Sequence, residues 1–131
     1  MIVVDTSATL AILEAEDDAA IYARAIAEAD PPLISAASVV EVGIVMLRRH
    51  GSKALGKVNR LIQAAGFRVE SVTERHANQA LEAYAVYGKG QKSKAGLNYG
   101  DCFSYALAKV TDVPLLFKGR DFSETDIPSV L

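Results

Sequence analysis

The apolar residues of this chain fall into short runs that alternate with longer stretches of helical period. Ile2-Val3-Val4 is a β-branched run of the kind buried inside a parallel sheet. Asp5-Thr6-Ser7 follows and can cap a short helix through about Leu13. A second helix is predicted from about Asp17 to Ala29. Glu16, Asp17 and Asp18 are placed to complement its dipole, and Asp30-Pro31-Pro32 stops it. Leu33-Ile34 reads as the second strand. Ser35 caps a long apolar helix from Ala36 to about Arg49, which closes with Arg48, Arg49 and His50 before Gly51. Ser52 to Ala65 reads as another helix ended by Gly66, and Phe67 to Glu70 as the third strand. Ser71 or Thr73 caps a helix through about Tyr87. Gly88 to Asn98 is a long loop with three glycines and three lysines. Tyr99 to Thr111 is a helix, Leu115 to Phe117 a strand, and the tail is short and rich in turns. Strands alternating with helices predict a parallel α/β sheet covered on both faces, in one domain spanning 1–131.

Composition narrows the function classes. Half of the 131 residues are hydrophobic and 23% are charged, enough for one packed core and too apolar for a disordered chain. The net charge of −2 excludes a grip on nucleic acid through bulk charge, so any such contact needs a local basic patch. Cys102 is the single cysteine, which suits a reducing compartment. The opening apolar run ends at Asp5 without a basic leader, and no apolar stretch approaches the ~20 residues of a membrane span. These features predict a soluble, cytoplasmic protein.

Four carboxylates stand in unusual settings. Asp5 directly follows the first strand, and ligands of open α/β sheets bind beyond strand carboxyl ends. Glu41 has Ala37, Ser38, Ile44 and Val45 as its helical neighbours, so it needs a cation or a salt bridge to offset desolvation. Asp101 opens a helix that is apolar nearly all round. Asp121 lies four residues past Phe117. Each has an ordinary explanation alone: an N-cap, an ion pair, a dipole partner, a loop acid. Together they form an all-oxygen donor set without matching His or Cys, which suits Mg²⁺ or Mn²⁺ and disfavours zinc.

The segments Met1-Ile-Val-Val-Asp5-Thr6-Ser7-Ala8, Ser38-Val-Val-Glu41 and Leu97-Asn-Tyr-Gly-Asp101-Cys-Phe-Ser-Tyr-Ala-Leu-Ala108 resemble the three main motifs of VapC-type PIN-domain ribonucleases. Leu115-Leu-Phe-Lys-Gly-Arg-Asp121-Phe122 resembles the fourth. The resemblance covers essentially the whole chain. It implies a three-layer α/β/α sandwich around a parallel sheet and Mg²⁺- or Mn²⁺-dependent endonuclease activity on RNA. By motif, it makes Asp5 and Asp101 the main metal ligands, Glu41 a ligand or an orienter of water, and Asp121 the fourth acid. The fourth motif departs from the family where a Thr and an acid are usual: Phe117 and Gly119 stand there, and Asp121 matches the later acid. The resemblance also implies a small VapB-like antitoxin as partner, and with the apolar helix faces it favours a homodimer.

The chemistry is consistent with that expectation. A divalent ion can activate water, neutralise the phosphate and assist the leaving oxygen, so no side-chain nucleophile is needed. If the fold brings Lys89, Lys92, Lys94, Lys118 and Arg120 together, they form a basic rim around the acids that can engage the RNA backbone; each lysine taken singly reads equally as part of a solvated loop. Two other readings compete. A receiver-type phosphoacceptor would need an acidic pair after an early strand and a phosphoacceptor Asp ending the third, where Glu70-Ser71 stand, and a phosphatase of the Asp-x-Asp kind would need an acid at Ser7. A PIN domain serving only as an adaptor is disfavoured by intact Asp5, Glu41 and Asp101.

Overall fold

The computed structural model describes residues 1–131. Four parallel strands, β1 (Ile2–Val4), β2 (Pro32–Ser35), β3 (Arg68–Glu70) and β4 (Leu115–Leu116), lie in the order β3-β2-β1-β4. Six helices connect them: α1 (Thr6–Leu13), α2 (Ala19–Glu28), α3 (Ala36–His50), α4 (Ala54–Ala64), α5 (Glu74–Tyr87) and α6 (Tyr99–Thr111).

The side chains of β1 alternate between the two faces of the sheet, as a strand requires. Val3 joins Leu33 and Leu115 in packing against α5 and α6, with Ala83, Leu107 and Phe122 in the same cluster. Ile2 and Val4 join Leu116 against α1 and α2, with Ala8, Ala11, Tyr22 and Ile26. The expected α/β/α layering is therefore present. A third cluster joins α3 to α4 through Val42, Met46, Ala54 and Val58, with Leu10 and Leu13 of α1 against it.

The strand order positions the site. From β1 the chain builds outward through β2 to β3, then returns to lay β4 on the other side of β1. The crevice beyond the carboxyl ends of β1 and β4 is thus the topological switch point, where α/β sheets take ligands. Asp5 sits there; its backbone N–H donates to the Leu116 carbonyl at 2.9 Å.

Local expectations are sharpened in three places. The helix α2 starts at Ala19 rather than Asp17, and Asp18 is its N-cap residue but makes no side-chain capping bond. Glu16 and Asp18 instead bind Lys118 Nζ, at 3.0 Å for Asp18. The fourth strand ends at Leu116, so Asp121 lies five residues beyond it in a turn. Of the two candidate caps for α5, Thr73 takes the role, accepting from the His76 N–H at 3.3 Å. No helix is long and apolar enough to cross a membrane.

Candidate active site

Asp5 is only 2% exposed, yet its carboxylate is held by hydroxyl and backbone donors rather than by a cation. As N-cap of α1 it accepts from the Ser7 N–H at 3.0 Å and the Ser7 hydroxyl at 2.6 Å, both through Oδ2. Its Oδ1 accepts from Ser104 of α6 at 2.5 Å. Ser104 in turn lies 3.3 Å from the hydroxyl of Ser38 on α3. The Ser7 hydroxyl also accepts the Lys118 N–H at 3.0 Å, which ties the segment after β4 to the same carboxylate. Three donors to one buried carboxylate fix its rotamer.

Asp101 is the third residue of α6 and completes a capping box with Asn98. The Asn98 side chain accepts the Asp101 N–H at 2.8 Å, and Asp101 Oδ2 accepts the Asn98 N–H at 3.0 Å. Burial pushes its carboxyl up to about 7, against that hydrogen bond, and the neighbouring charges of Asp5, Asp121 and Glu41 push it in the same direction. The four acids predicted from sequence therefore share one electrostatic neighbourhood.

Glu41 projects from α3 onto the first turn of α6. A Cβ placed on Gly100 would lie 2.7 Å from Glu41 Oε1 and closer still to Oε2. Position 100 must be glycine for the carboxylate to rest there. The salt bridge considered for Glu41 is not formed, and none of Asp5, Asp101 or Asp121 forms one either. Asp121 is exposed. Thr6, beside Asp5 and 7% exposed, has a buried hydroxyl oxygen without a partner.

The basic rim is corrected in one member. Lys118 is bound to Glu16 and Asp18, so its ammonium is neutralised, and those pairings raise its affinity for the proton. Lys89, Lys92, Lys94 and Arg120 remain exposed without acidic partners. The loop carrying the three lysines is anchored at both ends. Lys89 N–H donates to the Leu97 carbonyl at 2.7 Å and Leu97 N–H to the Tyr87 carbonyl at 2.8 Å.

Sequence reasoning missed Ser7, Ser38 and Ser104 as supports, and Asn98 as the cap. Asn98-x-x-Asp101 was a visible capping signature, and Ser104 was a polar residue in an otherwise apolar run. Only the fold could show that Ser104 meets Asp5.

Fold and site together define a small α/β protein with an acidic centre at the carboxyl edge of its sheet. The PIN domain model matches residues 2–128. Ribonuclease VapC28 of Mycobacterium tuberculosis is 50% identical over 129 residues, covering 98% of this chain and 97% of its own. The crystal structure of Mycobacterium tuberculosis VapC20, described as a sarcin-ricin loop cleaving toxin, has a TM-score of 0.79 at 24% identity, over 99% of this chain and 98% of its own. A chain of a toxin-antitoxin complex from Klebsiella pneumoniae has a TM-score of 0.70 at 16% identity, over 96% and 93%. The chain belongs to the PIN-domain family, among its VapC ribonucleases.

Proposed function

We propose that this VapC-type ribonuclease, acting as one domain over residues 1–131, cleaves RNA phosphodiesters at the acidic centre of Asp5, Glu41, Asp101 and Asp121. VapC ribonucleases of the PIN family are generally dependent on a divalent metal. The donor chemistry here fits such an ion, and an all-oxygen set favours Mg²⁺ or Mn²⁺ over zinc. The side chains as they stand do not form a ready cage of three acids around one point. The fit rests instead on charge: buried Asp5 and nearly buried Asp101 lie near two more acids with no lysine or arginine to neutralise them. That uncompensated carboxylate cluster is the observation that carries the reading, because buried acids without a cation are costly.

Asp5 and Asp101 would hold the ion, which when bound would polarise the phosphate and lower the pKa of the attacking water. The chain's own residues set the geometry. Ser7 and Ser104 hold Asp5 in one rotamer. The capping box holds Asp101 by Oδ2, the oxygen bonded to the Asn98 N–H. Gly100 leaves room for Glu41 to supply a ligand oxygen or orient water. Asp121, exposed in the turn after β4, completes the acid set. Lys89, Lys92, Lys94 and Arg120 neutralise phosphates flanking the scissile bond.

A ribonuclease of this kind requires control. A VapB-like antitoxin is the inhibitory partner, which makes this chain the toxin of the pair; the similarity in fold to a chain of a toxin-antitoxin complex supports this. The reading also includes a cytoplasmic location and a homodimer. The test is cleavage of pooled cellular RNA with Mg²⁺ or Mn²⁺, with EDTA, and with Asp5→Asn. Cleavage only by the metal-loaded parent is expected. Full activity in EDTA would overturn the metal mechanism, and near-normal rates with Asp5→Asn would misplace the site.

A further inference from the structure

We infer that the α3–α4 hairpin forms a second RNA-binding surface, outside the acidic centre and the loop lysines, which grips the phosphate backbone. The inference rests on the ribonuclease reading and extends it to how an acidic protein holds a polyanion.

Between Val42 and Val69 the sequence contains no Asp or Glu, yet it holds six of the fourteen lysines and arginines. Five of these, Arg48, Arg49, Lys53, Lys57 and Arg60, are exposed and form no salt bridge. The sixth, Arg68, is paired with Glu70 at 2.6 Å and is excluded.

Helix stability explains only part of this pattern. Arg48 and Arg49 lie in the last turn of α3, where cations complement the dipole. Lys53 is the N-cap residue of α4 and Lys57 lies on its fourth residue, at the end where cations oppose the dipole. No acid occupies the first turn of α4 and no side chain caps it. A helix arranged for stability would place Asp, Glu or Ser there. Local rules broken without a compensating contact mark functional surfaces. Lys53, Lys57 and Arg60 also fall at i, i+4 and i+7, one stripe of the helix, while Ala54 and Val58 face the core.

The hairpin is joined to the active site through α3. Arg48 follows Glu41 by seven residues, so it lies on the same helix face, about 10 Å further along. That spacing is on the order of one to two nucleotides of extended RNA backbone. Leu55, which sits between Lys53 and Lys57, packs over Gly43, with a methyl 3.5 Å from where a Cβ would stand. Gly43 is two residues from Glu41, so the start of α4 is fixed beside the turn that carries Glu41. An RNA with its scissile phosphate at the acids would have its flanking phosphates led along α3 to the hairpin. The occupant is RNA because it is the substrate of the adjoining centre and matches the patch in charge.

The experiment compares the protein with its Lys53→Gln/Lys57→Gln/Arg60→Gln variant, matched by thermal melting. Binding to pooled tRNA is measured in the Asp5→Asn background between 50 and 300 mM salt, and cleavage of total RNA is measured in the parent background. The variant should bind at least roughly tenfold more weakly at 0.1 M salt, and its log K against log salt slope should be shallower by about two. Its cleavage should fall at low RNA and recover at saturating RNA, because no acid has been altered. Unchanged affinity and slope, with cleavage by the parent intact, would overturn the inference alone. So would lost binding of an acidic peptide or an anionic vesicle with RNA binding retained, which would assign the patch to another partner. Absence of RNA cleavage by the parent with Mn²⁺ would instead overturn the ribonuclease reading.

Discussion

Ser104 donates its hydroxyl to Asp5 Oδ1 at 2.5 Å, joining α6 to the end of β1 across 99 residues of sequence. With Ser7 on Oδ2, it holds both oxygens of the most buried acid in the site. Ser104 is therefore a positioning residue for Asp5. Supporting hydrogen bonds of this kind are typically worth about 10–100-fold in metal affinity or activity.

Ser104→Ala is accordingly expected to reduce RNA cleavage by about 10–100-fold. Losing a charge-assisted hydrogen bond should also cost about 1.5–3 kcal/mol of stability. Ser104→Thr keeps the hydroxyl and should recover part of the activity. Mn²⁺ titration and thermal melting of both variants separate the two effects. Unchanged Mn²⁺ affinity and rate in folded Ser104→Ala would remove the positioning role.

Asp101 gives the metal-free protein a defined pH dependence. Its carboxyl is raised from 3.8 to about 7 by burial and by Asp5, Asp121 and Glu41. Below pH 4 folded and unfolded chains both hold the proton. Between pH 4 and 7 the unfolded chain releases it while the folded chain retains it, so stability falls as pH rises. The loss is at most about 4 kcal/mol, from the exchange rate between pKa and free energy. Asp101→Asn should abolish cleavage yet melt higher than the parent in EDTA at pH 8, with the gap closing toward pH 4. Melting curves in EDTA across that range test this, and a gap independent of pH would show that Asp101 ionises freely in the fold.

Gly100→Ala should lose activity without the loss of stability expected of Ser104→Ala. Alanine is favoured over glycine by about 1 kcal/mol within a helix. Its Cβ would occupy the place of the Glu41 carboxylate, which ends a flexible side chain and can swing away. The variant is therefore expected to keep its melting temperature within a few degrees and to lose activity to the same extent as Glu41→Gln. Wild-type cleavage by Gly100→Ala would show that Glu41 works from another position.

Much of this site was legible because the chemistry follows the strand ends. A short apolar run followed by Asp5 marks a carboxyl end of a strand, and Glu41 and Asp101 are conspicuous as charges in apolar helical contexts. The element order and Ser35 as the cap of α3 follow from capping and periodicity in the same way. The supports were not legible, because Ser38, Ser104 and Asp5 lie on three separate elements that only the tertiary fold brings together. Lys118 was misread for a related reason. Its neighbours in sequence suggest a rim, whereas its ion partners Glu16 and Asp18 are about a hundred residues away, at the separations of 102 and 100.

The same unpaired acids indicate how an antitoxin should inhibit. Asp5, Glu41 and Asp101 lack a basic partner within the chain, so an arginine delivered by another chain can form charge-assisted, bidentate bonds to them. On α3, Val40, Ile44 and Leu47 are 60%, 49% and 38% exposed at i, i+4 and i+7. They form an apolar stripe beside Glu41 on which an amphipathic helix can lie. The arginine would compete with the divalent ion for the same oxygens, whereas the apolar contact would not depend on metal. Inhibition by the cognate antitoxin should therefore weaken as Mn²⁺ rises, while binding measured apart from cleavage changes much less. Replacing the inserted arginine by alanine should relieve inhibition more than it relieves binding, and Ile44→Asp should do the reverse. Titrating antitoxin against RNA cleavage at several Mn²⁺ concentrations reads both effects. Inhibition that is indifferent to metal would mean that the partner blocks the crevice by coverage alone, leaving the acids without a role in the complex.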